Sequence, residues 1–184
     1  MTEFESTLRE DLLLYLQSKN IIDERVPECP DVEEQWEKIG MSYLADGVRE
    51  FNEYPMASLG WMMYIGMTVA QRWDENWEKF LEIEDFYTTI RDKRGYDCLD
   101  EYIREEELKL NAEESDQLEV LVSNCAARVH NILRRQKIEP STEEAFKAYV
   151  ACLHQLYLMG AAAQLKKLGY KMTLATPEDL KGRN

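Results

Sequence analysis

The sequence predicts an all-α fold, a single bundle of about six to seven helices, and three observations carry that reading. Turn-forming residues are scarce: 184 residues include only 8 Gly and 5 Pro, too few for the many turns of a β protein. Apolar residues recur at steps of three and four almost throughout, the period of one buried helix face. Two stretches of 18 residues, Tyr54–Gln71 and Ala148–Leu165, hold no Asp, Glu, Lys or Arg in a chain that is 32% charged. Helices apolar on nearly every side must be wrapped by others. The segments at about 56–72 and 145–168 are therefore expected to be the two central helices.

The first helix is expected over Glu3 to Lys19, with Phe4, Leu8, Leu12, Tyr15 and Leu16 on one face. A connector containing two prolines follows. Asp31 is read as the cap of a second helix, whose stripe is Val32, Trp36, Ile39, Tyr43, Leu44, Val48 and Phe51. Pro55 suits the first turn of the third helix, where its missing N–H costs nothing. Running on to Lys93 it would be roughly 57 Å long, so a break is expected near Asp74–Asn76 or Glu84–Asp85. A shorter helix should cover Asp97 to Leu108. Asn111 with Glu114, and Ser141 with Glu144, have the spacing of capping boxes that open the last two long helices. Leu118, Leu121, Val122, Cys125, Val129, Ile132 and Leu133 give the first of these the cleanest stripe in the chain. The domain is drawn at 1–169, with a polar tail over 170–184 in which Thr176-Pro177-Glu178-Asp179 could begin one further turn.

One internal similarity crosses this order. Ala57, Leu59, Met62 and Gly66 match Ala151, Leu153, Leu156 and Gly160 at an offset of 94 residues. The flanking segments do not align at the same offset, so the pattern is read as convergence on tight helix packing.

Net charge is −14, a field that repels nucleic-acid phosphates and anionic membrane surfaces. Neither is an expected partner. Cys29, Cys98, Cys125 and Cys152 are widely spaced and read as thiols rather than a disulfide framework. The start Met1-Thr-Glu-Phe-Glu-Ser lacks a basic, then apolar, leader, and a cytoplasmic setting is the expectation. The two uncharged stretches contain Pro55, Gly60, Gln71, His154 and Gln164, which favours buried core over membrane spans.

Catalytic patterns are missing from the sequence: it has no HExxH, GxSxG, SxxK, GxGxxG or phosphate-loop spacing. The only histidines, His130 and His154, sit at the edges of their stripes. Cys125, Cys152 and His154 fall at similar heights of one helical hairpin, but residues 152 and 154 point about 200° apart on a helix. No metal or other cofactor is expected. The basic groups Arg91/Lys93/Arg94, Arg134/Arg135/Lys137 and Lys166/Lys167/Lys171 fall at helix C-termini, where positive charge offsets exposed carbonyls.

The remaining candidates are aromatic and methionine residues. Trp73 and Trp77 form an i, i+4 pair flanked by acids and are read as a surface for a partner. Met62, Met63, Tyr64 and Tyr157 could line an apolar pocket, although core filling explains them too. The functional expectation is a non-enzymatic, acidic protein-interaction or scaffold domain, self-associating as a homodimer or bound to another protein. The alternatives are a helical protein holding a small apolar ligand and a carboxylate-based or metal-assisted enzyme.

Overall fold

Thr2 opens helix α1 (Glu3–Ser18) with a reciprocal capping box: its hydroxyl accepts the Glu5 N–H while the Glu5 carboxylate accepts its own. The structure is a computed structural model that describes residues 1–170, and among these the chain forms eight α-helices and no strand. The expected all-α architecture is what the chain adopts.

The expected second helix is two. Cys29, with Pro30 in the first turn, precedes the short α2 (Pro30–Glu34), so Asp31 lies inside a helix rather than capping one. After Gln35 the long α3 (Trp36–Phe51) begins. Asp31 instead uses its carboxylate to accept the Trp73 indole N–H at 3.0 Å. Helix α4 (Pro55–Leu81) starts on Pro55 as expected and breaks where expected: Asn76 is extended (φ −169°, ψ 95°), and its side chain caps the last turn by accepting the Lys79 N–H. A second interruption precedes α5 (Phe86–Arg94), capped by Asp85 and stopped by Gly95 at φ 85°.

The expected 97–108 helix is irregular. A 3₁₀ turn (Tyr96–Cys98) leads into the single turn α6 (Leu99–Tyr102) and then into a π-turn, Ile103–Glu107. Two long helices complete the chain, α7 (Ala112–Arg135) and α8 (Glu143–Lys167). Asn111 and Glu114 form the expected capping box on α7. On α8 the cap lies one residue later than read: Ser141 is left-handed at φ 62°, and the Thr142 hydroxyl accepts the Ala145 N–H.

The core is the pair α4–α8. Contacts between them advance together along both chains, from the Ser58–Tyr149 hydroxyl pair at 2.6 Å to the Gln164 amide on Gln71 at 2.7 Å. The two helices are therefore parallel. At the crossing, a Cβ on Gly66 would stand 2.2 Å from the Tyr157 carbonyl oxygen, and one on Gly160 would stand 2.1 Å from that of Met63. The 94-residue offset seen in the sequence is the separation of these two glycines, and the contacts of 91 and 97 residues they make lie evenly about it: each helix supplies the glycine against which the other's carbonyl rests. α3 and α7 pack beside this pair, α1 lies on α7 and α8, and no described helix is long and apolar enough to cross a membrane.

Beside the core lies a tyrosine-rich polar layer. The Tyr43 hydroxyl donates to the Ser58 carbonyl at 2.6 Å, and Tyr87 donates to the Asp46 carboxylate, which also accepts Arg91. Burial works to raise the Asp46 pKa, but these donors hold it below the ordinary carboxylate value. Burial pushes the phenols of Tyr64 and Tyr102 up to about 12 and raises those of Tyr43, Tyr87, Tyr96, Tyr149 and Tyr157 as well. Since the folded values exceed the unfolded one, this stabilisation is intact below about pH 10 and lost as the pH rises above it. An ultraviolet phenolate titration should show these seven tyrosines ionising together with loss of helix. Independent ionisation near the ordinary value, with the helices intact, would refute their burial.

Candidate functional site

An open groove arises from unequal helix lengths. Near its C-terminus α1 is tied to α7: the Asn124 amide donates to the Tyr15 hydroxyl at 2.9 Å, and Arg128 binds both oxygens of Asp11. Beyond Tyr15, α1 has three residues left, ending at Ser18, after which Asn20 turns left-handed (φ 58°) and leads the chain away. The antiparallel α7 extends roughly 18 Å past Asn124. Where α1 would have continued, an open groove of about 840 Å³ is left.

Its floor is apolar, built from Met67 of α4, Ala163 of α8 and Leu118 and Leu121 of α7, with Tyr15 and Ile21 closing one side. Val120, an apolar residue 61% exposed, also lines the groove. The rim is charged by sides. Lys19, Lys166 and Lys167 come from the ends of α1 and α8, while Glu114 and Asp116 come from the first turns of α7. Lys166 is anchored on the Asn20 carbonyl at 2.8 Å and on Asp23 at 2.7 Å, and Lys167 reaches Glu114 at 3.4 Å. A volume in this range suits a ligand or a partner's apolar side chains.

The residues singled out in the sequence lie elsewhere. Met62, Met63, Tyr64 and Tyr157 are fully buried and none lines the groove; Met67 is the member of that helix that does. The Tyr64 hydroxyl accepts from Arg104 at 2.9 Å, and Tyr157 donates to the Val32 carbonyl at 2.6 Å. Trp73 and Trp77 are half-buried. The extended residue Asn76 separates them, so they do not share one helical face: Trp73 packs on Tyr170, and Trp77 stacks on Phe80 at 4.7 Å. The groove residues went unsingled because their apolar spacing is that of ordinary core. The available signal was the length of the α7 stripe against the shorter α1.

Elsewhere the reactive side chains are subdued. Burial pushes the Cys125 and Cys152 thiols up to about 12, leaving them protonated and poorly nucleophilic at neutral pH. Burial also lowers the His130 and His154 pKa values, and His154 is stacked on Trp36 at 4.8 Å. Among the described residues no three His, Cys, Asp or Glu side chains are grouped to hold a metal ion. Comparison with protein-family models, curated proteins and solved structures finds no match to this chain.

Proposed function

We propose that this protein is a non-enzymatic interaction domain and that the groove between α1, α7 and α8 takes an amphipathic helix from a protein partner. The observation that carries the reading is the open, apolar-lined groove where α1 stops short, with Val120 61% exposed among its lining residues. An open groove bordered by bulky apolar residues suits a helix laid on its apolar face. The rim adds polarity. Lys166 and Lys167 are already paired with Asp23 and Glu114, so a partner's acidic residues would meet Lys19 and its basic residues Asp116. The Trp73/Trp77 surface expected from the sequence has less support, because both rings are engaged within the fold.

The experiment is affinity capture from the protein's own host, quantified for wild type, Leu121→Asp and Val48→Asp. Leu121 lines the groove, whereas Val48 is an exposed apolar residue on another helix. Burying a carboxylate in the floor should reduce capture of a specific partner by roughly tenfold or more, with Val48→Asp matching wild type. Equal capture by all three, or no partner at all, would overturn the reading. A second reading, a small apolar ligand in the same groove, is favoured by the volume alone; native mass spectrometry would report it as a bound small molecule.

A further inference from the structure

Backbone irregularity and buried charge coincide at one place just past the groove, whose lining residue Leu110 is the chain neighbour of Lys109. The π-turn Ile103–Glu107 rotates Glu107 inward, so that a side chain only 5% exposed carries a carboxylate. Both its oxygens are held by Arg72 of α4, each at 2.7 Å, and Tyr102 donates to it at 2.8 Å. Just past the turn, Lys109 adopts a left-handed backbone at φ 51°, uncommon for a side chain of its kind. Single π-turns and strained residues of this sort gather at functional sites.

These features border an open polar depression of about 560 Å³. In a chain with 36 acidic and 22 basic residues, four of its eight lining residues are cations: Arg72, Lys93, Arg94 and Lys109. The helix C-terminus explains Lys93 and Arg94, but Arg72 lies within α4 and Lys109 follows a different element. The carboxylates of the wall are largely engaged. Glu107 is satisfied by Arg72 and Tyr102, Glu106 accepts Arg94 at 3.3 Å, and Glu75 accepts the Gln71 amide at 3.0 Å. Among the described residues, the Lys93 and Lys109 ammonium groups and the Arg72 Nη1 make no hydrogen bond or ion pair. The unused capacity is therefore mainly that of donors and positive charge.

We infer that this depression binds a compact oxyanion carrying two or more negative charges, held by Lys93, Lys109 and the free edge of Arg72. The Arg72–Glu107 pair would act as the fixed wall, pre-orienting the guanidinium so that its unused N–H groups face the ligand. Phosphate groups and clustered carboxylates share this chemistry, and the experiment separates them.

Isothermal titration with pyrophosphate and with citrate, each at constant ionic strength, tests it on the full chain. Lys93→Ala/Lys109→Ala removes the two free ammonium groups. Lys38→Ala/Lys147→Ala removes the same charge elsewhere on the surface. The Lys93→Ala/Lys109→Ala variant should bind the preferred anion roughly tenfold or more weakly, and the control less than about twofold. Tighter binding of pyrophosphate assigns a phosphate ligand, and tighter binding of citrate a carboxylate one. Absence of binding by either anion, or equal losses in the two variants, would overturn the inference. Glu106→Gln, which removes a negative charge from the wall but keeps an acceptor for Arg94, should tighten binding; weakening would likewise count against it.

Discussion

Replacing Gly66 with alanine is expected to destabilise the protein by about 3 kcal/mol, although alanine is the better helix former by roughly 1 kcal/mol. The new methyl would meet the Tyr157 carbonyl oxygen at 2.2 Å. That oxygen belongs to helix backbone and cannot rotate aside, so α4 and α8 must separate and loosen the packing on either side. Gly160→Ala should behave alike, since its Cβ would meet the Met63 carbonyl at 2.1 Å. Gly60 supplies the contrast. There a Cβ would meet a Val122 methyl at 3.1 Å and Ala126 at 3.8 Å, and a valine side chain can shift. Gly60→Ala should therefore lie close to wild type. Urea unfolding of the three variants checks the order, and a Gly66→Ala protein as stable as Gly60→Ala would sink the close-crossing account.

Removing Arg72 is expected to cost a similar amount, about 3 kcal/mol, for a different reason. Glu107 is almost wholly out of water, and without the guanidinium its carboxylate keeps the single Tyr102 hydroxyl as donor. Breaking one side of a buried pair leaves an uncompensated charge, whereas replacing both sides with apolar groups often costs little. Arg72→Met/Glu107→Met should accordingly recover much of the stability that Arg72→Ala loses. Thermal unfolding of the two variants makes the comparison. A double variant less stable than the single one would mean that the pair itself is a large net stabiliser.

Much of the fold was legible because helix periodicity is a local property. The stripes of α1, α7 and, Val48 apart, α3, the cap at Asn111, and the breaks near Asn76 and Asp85 all follow from residues within a turn or two of one another. The errors at Asp31 and Ser141 have one origin. Each is a good capping residue beside another element, Cys29-Pro30 or Thr142, that the backbone uses instead. Apolarity on every side placed α4 and α8 in the core, but their parallel pairing could not be read, because short-range spacing carries no information about direction. The groove was hidden for a related reason. Tyr15, Met67, Leu121 and Ala163 look like interior residues, Met67 and Ala163 are buried as such, and only the relative ending of α1 and α7 brings the four to one groove. Trp73 and Trp77 were read as a pair on an i, i+4 spacing that requires an unbroken helix, which Asn76 interrupts.

The parallel crossing also has a consequence for how the chain must find its native state. Antiparallel neighbours such as α3 and α4 are joined by a few residues, so their contacts cost little loop entropy. Two parallel helices cannot be joined that way. Here the chain has to pass through α5, the π-turn and all of α7 before Gly160 can meet Met63. This close backbone crossing therefore closes a long loop, and contacts of that sequence separation slow a folding reaction. The hairpins can assemble early and locally; the glycine crossing that locks them together has to wait for a search over more than half the chain.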